Sequence, residues 1–174
     1  MKRIRLSDAV DKTSISIYTA TMIRYAYFHS PVGFIELHSD GEALIAARFV
    51  EAPTQAHSPD TVLLQTIRQL SAYFSGELRT FDLPLRLKGS PFQLSVWEQL
   101  LTIPYGETRS YRDIARALGN PKAMRAVGAA NSANPIVIIV PCHRVITADG
   151  KLGGYSGGLW RKAWLLRHEG EMLF

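Results

Sequence analysis

At 174 residues the chain admits one compact domain or two small ones, and 47% hydrophobic with 20% charged residues is the composition of a chain able to bury a real core, which excludes general disorder. No apolar run approaches the ~20 residues of a bilayer-spanning helix, and Met1-Lys2-Arg3-Ile4-Arg5 precedes no apolar leader core, so a cytoplasmic protein without a membrane partner is expected. A single cysteine excludes an internal disulfide and a multi-cysteine zinc site, while 20 Lys and Arg against 15 Asp and Glu give a net charge of +5 that favours a polyanionic partner.

In chain order, residues 1–20 mix charges with Ser and Thr without a steady period and read as an N-terminal extension. Residues 21–86 read as a first domain. Ile23–Phe28, Phe34–His38 and Ala43–Val50 are short runs rich in β-branched and aromatic residues. Turn signals at Pro31-Val32-Gly33 and Asp40-Gly41 separate them, which predicts three antiparallel strands. Leu63, Leu64, Ile67, Leu70, Tyr73 and Phe74 then recur at helical spacing up to Gly76, and that helix should cover one face of the sheet. Phe81–Leu85 is a further short extended piece containing Pro84. Residues 87–91, with Lys88-Gly89-Ser90-Pro91, read as the linker to a second domain, 92–174.

In the second domain the period becomes helical. Ser90 caps a helix with Pro91 in its first turn, and Phe92, Val96, Trp97, Leu100 and Leu101 form the apolar face. Pro104-Tyr105-Gly106 ends it. Ser110 with Asp113 three residues on starts the next helix, with Ile114, Ala117 and Leu118 as its buried stripe and Gly119 as its stop. A further helix over about Lys122–Asn131 completes a helix pair of helix-turn-helix type; an ordinary helical hairpin is the alternative. Ala123, Ala126, Gly128, Ala129 and Ala130 make the second helix slim enough for close approach to a nucleic-acid groove, with Arg125 projecting from it. The same small residues also permit close helix packing.

Ile136–Val140 is a short apolar run, read as a buried extended segment that delivers Pro141-Cys142-His143-Arg144-Val145. A lone Cys after such a run is more often an inert buried thiol than a nucleophile. An adjacent imidazole and cation shift that balance, because the reactive species is the thiolate.

The segments Phe92-Gln93-x-x-Val96-Trp97, Ile103-Pro104-Tyr105-Gly106-Glu107-Thr108, Ser110-Tyr111, Ala123-x-Arg125-Ala126-Val127-Gly128, Asn134-Pro135, Pro141 to Val145, Gly154 to Leu159 and Trp164-Leu165-Leu166-x-His168-Glu169 occur in one order over nearly all of the chain after the linker. In this the sequence resembles the O6-alkylguanine-DNA alkyltransferases, also called methylated-DNA–protein-cysteine methyltransferases. The resemblance implies an α+β fold: a small RNase H-like three-stranded α/β domain, then a mostly helical, winged-helix-like domain with the helix-turn-helix. It implies Cys142 as nucleophile and alkyl acceptor, and His143 with Glu169 as a base and its orienter, linked to the thiol through water. Asn134 would organise the turn around the cysteine, and Tyr111 would donate to the departing guanine.

On the DNA side, the resemblance implies minor-groove binding through Tyr111, Ala123, Ala126 and Ala129, with Arg125 filling the stack vacated by a flipped nucleotide. Val145, Gly153, Tyr155 and Ser156 would line the guanine pocket. The partner implied is double-stranded DNA carrying O6-alkylguanine, with O4-alkylthymine a further candidate; no metal or other cofactor is implied, and a monomer is expected. The N-terminal half resembles the family only by strand-turn texture and Tyr73-Phe74-x-Gly76, and its lack of cysteines removes the zinc site of some relatives. Ser132-Ala133 stands where many relatives carry an arginine or glycine, so one phosphate contact is in question. Three rivals remain at this stage: a non-catalytic lesion-binding protein, which Cys142 argues against, a cysteine hydrolase using Cys142 and His143, and a transcription regulator using the helix pair.

Overall fold

The computed structural model describes residues 22–170, so the expected extension over residues 1–20 lies outside the described residues. The three expected strands form as β1 (Arg24–Ser30), β2 (Gly33–Ser39) and β3 (Leu44–Val50), an antiparallel sheet in the order β1-β2-β3. Alternation puts Ala26, Ile35, Leu37 and Ala47 on the core face, with Ala26 opposite Leu37 and Leu37 opposite Ala47. Helix α1 (Thr61–Phe74) starts where the Asp60 carboxylate accepts from Leu63 N at 2.9 Å, and it lays Val62, Leu63, Thr66, Leu70 and Tyr73 on the core. Leu64, expected on that stripe, faces outward. The Phe81–Leu85 piece contributes a single bridge, Leu85 to Leu44, rather than a strand.

Helix α2 (Pro91–Leu101) opens with a full Ser90/Gln93 capping box, and α3 (Tyr111–Ala117) with a Ser110/Asp113 box. Of the apolar face expected on α2, Val96, Trp97 and Leu100 are buried while Phe92 and Leu101 are exposed. On α3 the buried residues are Ile114 and Ala115, and Ala117 is exposed. Helix α4 (Met124–Ser132) begins two residues later than the spacing suggests, after a turn at Pro121–Ala123. The Trp97 indole donates to Ala130 O at 2.9 Å and locks α2 against α4. Two-residue strands β4 (Arg109–Ser110) and β5 (Val145–Ile146) pair in parallel beside α3. A last helix, α5 (Leu159–His168), was not expected, because Lys162, Arg161 and Arg167 break up its apolar stripe.

One expectation is corrected. Ile136–Val140 is buried but not a strand: only Ile136 bridges to Ala47, after which the chain turns back on itself with Ile138 at φ 71°. The left-handed region is costly for a β-branched residue, and what holds it there is the Asn134 amide, whose Oδ1 accepts from Ile136 N (3.0 Å) and whose Nδ2 donates to Val140 O (2.8 Å). An apolar run of five residues has no period that separates a strand from a buried turn.

The two halves share one continuous core that includes Ile35, Leu37, Leu63 and Tyr73 from the first and Val96, Trp97, Ile136, Val140 and Leu165 from the second. Backbone bonds Ala47 N to Pro135 O (2.9 Å) and Val137 N to Ala47 O (3.0 Å) stitch β3 to the turn that precedes Cys142.

Candidate active site

Cys142 opens a single 3-10 turn, Cys142–Arg144, and is 1% exposed. On a strand neighbouring side chains point to opposite faces, whereas here Cys142 and His143 sit in one tight turn. Asn134 Nδ2 donates to Cys142 Sγ at 3.0 Å, and Asn131 Nδ2 to Cys142 O at 3.3 Å, so one asparagine in the last turn of α4 and one just beyond it fix the cysteine. Burial pushes the thiol pKa up, while the Asn134 hydrogen bond, the Lys162 charge and the Tyr155 hydroxyl pull it back.

His143 and Glu169 are brought together: His143 Nε2 lies 2.8 Å from Glu169 Oε1, with both side chains fully buried. Burial alone would raise the Glu169 carboxyl, but His143 and Arg144 hold it below the ordinary carboxylate range. Arg144 is bidentate, Nε to Oε2 at 2.8 Å and Nη2 to Oε1 at 3.0 Å, and Tyr73 Oη donates to Oε1 at 2.7 Å. Burial lowers the His143 pKa against the pull of Glu169, so the ring is neutral. A neutral ring that donates from Nε2 to a carboxylate carries its lone pair on Nδ1, and His143 Nδ1 has no partner among the described residues. The result is an imidazole held in one orientation with a free acceptor atom. No hydrogen bond joins Cys142 and His143 directly among the described residues.

The segment expected to line a pocket closes over the thiol. Lys162, fully buried on α5, donates to Val145 O at 2.5 Å, to Leu152 O, and to Gly154 O at 3.3 Å. Burial lowers the Lys162 pKa to about 8, with Cys142 opposing. Tyr111 Oη sits 3.4 Å from Gly154 O, and Cys142 acts on the ionisation of both Tyr111 and Tyr155. Tyr155 Oη is buried near enough to the thiol to influence its ionisation but meets no partner at full hydrogen-bond geometry among the described residues. Gly153 has φ +66°, and a Cβ there would lie 3.1 Å from the Tyr111 ring. Val145 is buried, whereas Ser156 is exposed at the loop edge.

On α4, Arg125, Ala126 and Ala129 are exposed and Ala123 half-buried, while Val127, Ala130 and Asn131 face the core. A Cβ on Gly128 would meet the Tyr111 ring at 3.9 Å, so the slim helix and that tyrosine are adjacent.

Arg144, Tyr73, Lys162 and Asn131 complete the site; the last three had no role in the sequence reading, and Arg144 only that of a cation near the thiol. Arg144 stood in the motif, but a cation beside a nucleophile does not announce that it anchors the base's carboxylate. Tyr73 sat inside a helical stripe of apolar residues, and Lys162 lay in a segment where no helix was expected. Among the described residues, no group of three or more His, Cys, Asp or Glu is arranged to hold a metal ion.

Two family models match in tandem: the 6-O-methylguanine DNA methyltransferase ribonuclease-like domain over residues 23–87 and the DNA binding domain of the same enzyme over residues 91–171. A methylated-DNA–protein-cysteine methyltransferase of Methanosarcina acetivorans is 52% identical over 153 residues, 84% of this chain and 98% of that protein. One from Mycobacterium tuberculosis is also 52% identical over 153 residues, 85% of this chain and 93% of that protein. The crystal structure of Mycobacterium tuberculosis OGT in complex with DNA matches at a TM-score of 0.77 and 52% identity, covering 84% of this chain and 92% of that one. With both domains matched in order and half of the residues shared with relatives covered almost end to end, this chain belongs to the methylated-DNA–protein-cysteine methyltransferase family.

Proposed function

We propose that this protein repairs DNA directly, transferring an alkyl group, methyl in the simplest case, from O6 of guanine to Cys142 Sγ. The observation that carries the reading is the pairing of a thiol held at 3.0 Å by Asn134 with a buried His143–Glu169 couple whose Nδ1 is free to accept a proton. His143 Nδ1 takes the thiol proton through a bridging water, and Sγ attacks the alkyl carbon in line with the O6–carbon bond. The S–C bond forms as the C–O bond breaks, and Tyr111 hydrogen-bonds the guanine O6 as negative charge develops there. The positively charged Lys162 and the Asn134 amide stabilise the sulfur while it is anionic.

The product is a thioether with no leaving group for water to displace, so each molecule acts once. This chemistry draws on no metal and no other cofactor.

The substrate is double-stranded DNA. The target carbon is hidden in the base stack, so the nucleotide is extruded into the pocket of Val145, Gly153, Tyr155 and Ser156, with Arg125 taking its place. The exposed small residues Ala126 and Ala129 and the half-buried Ala123 support minor-groove docking of α4. Residues 92–174 carry the chemistry, residues 21–86 support it, and 87–91 link the two. The protein acts as a monomer in the cytoplasm; among the described residues no helix is long and apolar enough to cross a membrane.

Intact-protein mass after mixing with a duplex containing O6-methylguanine tests the reading. The expected result is a stable gain of about 14 Da on the Cys142 peptide, the excess of methyl over the hydrogen it replaces. Binding without any gain means a lesion-binding protein. A gain that decays in water means a hydrolase.

A further inference from the structure

A cleft opens between the two halves on the acceptor side of the molecule, lined by Arg48 and Phe49 of β3, by Ser132 and Asn134 at the end of α4, and by Ser156 and Gly157 of the pocket loop. Asn134 is the residue that holds Cys142 Sγ, and Ser156 belongs to the loop closing over it. The cleft therefore lies next to the acceptor site, with Asn134 common to both. Arg48 is exposed and makes no side-chain hydrogen bond or ion pair among the described residues, although Glu36 is its cross-strand neighbour. Glu36 is instead engaged by Tyr27, His38 and Thr54.

The strand is held firmly against the pocket loop. A Cβ on Gly157 would lie 2.7 Å from the Phe49 ring, so only glycine permits this approach. Arg161 stacks over Phe49 with its guanidinium carbon 4.8 Å from the ring centre, and donates to Gly157 O at 2.7 Å and to Val32 O at 2.7 Å. A second cation thus lies behind the Phe49 wall. The α4 side of the cleft offers only Ser132 and Ala133, with no cation of its own, and the carbonyl end of α4 adds partial negative charge there. An anion entering this cleft meets one unpaired cation at its mouth.

We infer that Arg48 binds a backbone phosphate of the DNA strand that carries the extruded nucleotide, making the N-terminal domain part of the nucleic-acid interface. The inference rests on the proposed DNA substrate. The strand is assigned from position: a nucleotide lodged between Tyr155 and Cys142 carries its own flanking phosphates past Ser156, whereas the complementary strand stays with the duplex against α4. The guanidinium fork suits a phosphate better than an ammonium does, yet either supplies the charge.

The test is equilibrium binding of an O6-methylguanine oligonucleotide over a range of salt, single-stranded and duplex, to the wild type, Arg48→Ala and Arg48→Lys, with transfer from free O6-alkylguanine base as the control. One lost phosphate contact lowers the slope of log affinity against log salt by about 0.9 on duplex and about 0.7 on single strand. The expected result is that drop in Arg48→Ala on both substrates, an affinity loss of about threefold to tenfold near 0.1 M salt, restoration of the slope in Arg48→Lys, and an unchanged rate with free base. An unchanged slope overturns the proposal, and with a lowered melting temperature it assigns Arg48 to capping α4 instead. A drop on duplex alone overturns the strand assignment. An equal loss with free base overturns it too, because the substitution then damages the acceptor site. If the wild type binds DNA but transfers no alkyl group, the repair reading fails while the salt slope still decides the phosphate contact.

Discussion

Glu169 shows how much one buried residue organises. Its carboxylate accepts from Tyr73, His143 and both donor arms of Arg144, and Gly106 N approaches at 3.3 Å. Burial opposes the charge, and the donors outweigh burial, so the folded-state pKa lies below the ordinary glutamate value of 4.5. The unfolded state then binds the proton more readily as pH drops, so this residue adds stability above about pH 4.5 that is lost as pH falls towards the folded value. Glu36 titrates on the same limb, so the difference between proteins is the quantity to read. Glu169→Gln is expected to cost about 3–5 kcal/mol at pH 7, leaving Arg144 buried beside a neutral partner, and to flatten the decline below pH 4.5. Urea unfolding at pH 3 to 7 measures both; an equally steep acid limb in the variant would assign that limb to other groups. His143, coupled to this carboxylate, bears on the rate rather than on the acid limb. Burial holds its pKa below 6.5, so transfer is expected to persist as pH falls through 6.5 and to decline only further down. A single-turnover rate that halves at or above pH 6.5 would contradict a neutral His143 base.

At the level of elements, the proposed reaction asks α4 to present the base and the Gly153 loop to hold it. Arg125 stands exposed on α4, away from the thiol's hydrogen bonds. Arg125→Ala is expected to slow repair in duplex DNA by at least tenfold while leaving transfer from free O6-alkylguanine base intact; equal losses would remove its role in the stack. Gly153 faces Tyr111 and Thr147, and its φ of +66° disfavours any side chain. Gly153→Ala is expected to cost about 1–2 kcal/mol in thermal unfolding, and to slow transfer from free base as well as DNA, because the intruding methyl displaces Tyr111. Free-base transfer at the wild-type rate would mean that Tyr111 does not need its present place. These elements were legible in the sequence to different depths. Capping boxes at Ser90/Gln93 and Ser110/Asp113 and the three strand runs are local signals, and the residues involved adopt the local structure those signals specify. The turn at Ile136–Val140 was not legible, since its cause is one asparagine bonding to atoms up to six residues away. Family resemblance supplied Cys142, His143, Glu169 and Asn134, which the fold does gather, while composition alone favoured an inert thiol. Lys162 was hidden because a lysine between Arg161 and the rest of a charge-broken segment reads as solvated, and only the fold reveals three carbonyls converging on it.

Across the whole molecule, the N-terminal domain reaches the chemistry through a bond that spans 96 residues of sequence, Tyr73 Oη to Glu169 Oε1. The same tyrosine accepts from His168 Nε2 through its carbonyl at 2.7 Å, and its ring packs against Phe74, Phe81, Tyr105 and His168. One residue of α1 thereby fixes both the end of α5 and the carboxylate that orients His143. Tyr73→Phe keeps the ring packing and deletes only the donor, at an expected cost of about 1–2 kcal/mol. In a chain of this size that lowers the melting temperature by about 2–8 °C. Because Tyr73 acts through Glu169, its effect should vanish where Glu169 no longer bears a charge to be satisfied. The double variant Tyr73→Phe with Glu169→Gln is therefore expected to be destabilised by less than the sum of the single changes. Single-turnover transfer should follow the same pattern, slowed by Tyr73→Phe alone and not slowed further when the substitution is added to Glu169→Gln. Additive costs in both stability and rate would mean that α1 supports the acceptor domain by packing alone, and that the hydrogen bond between the two halves transmits nothing to the base.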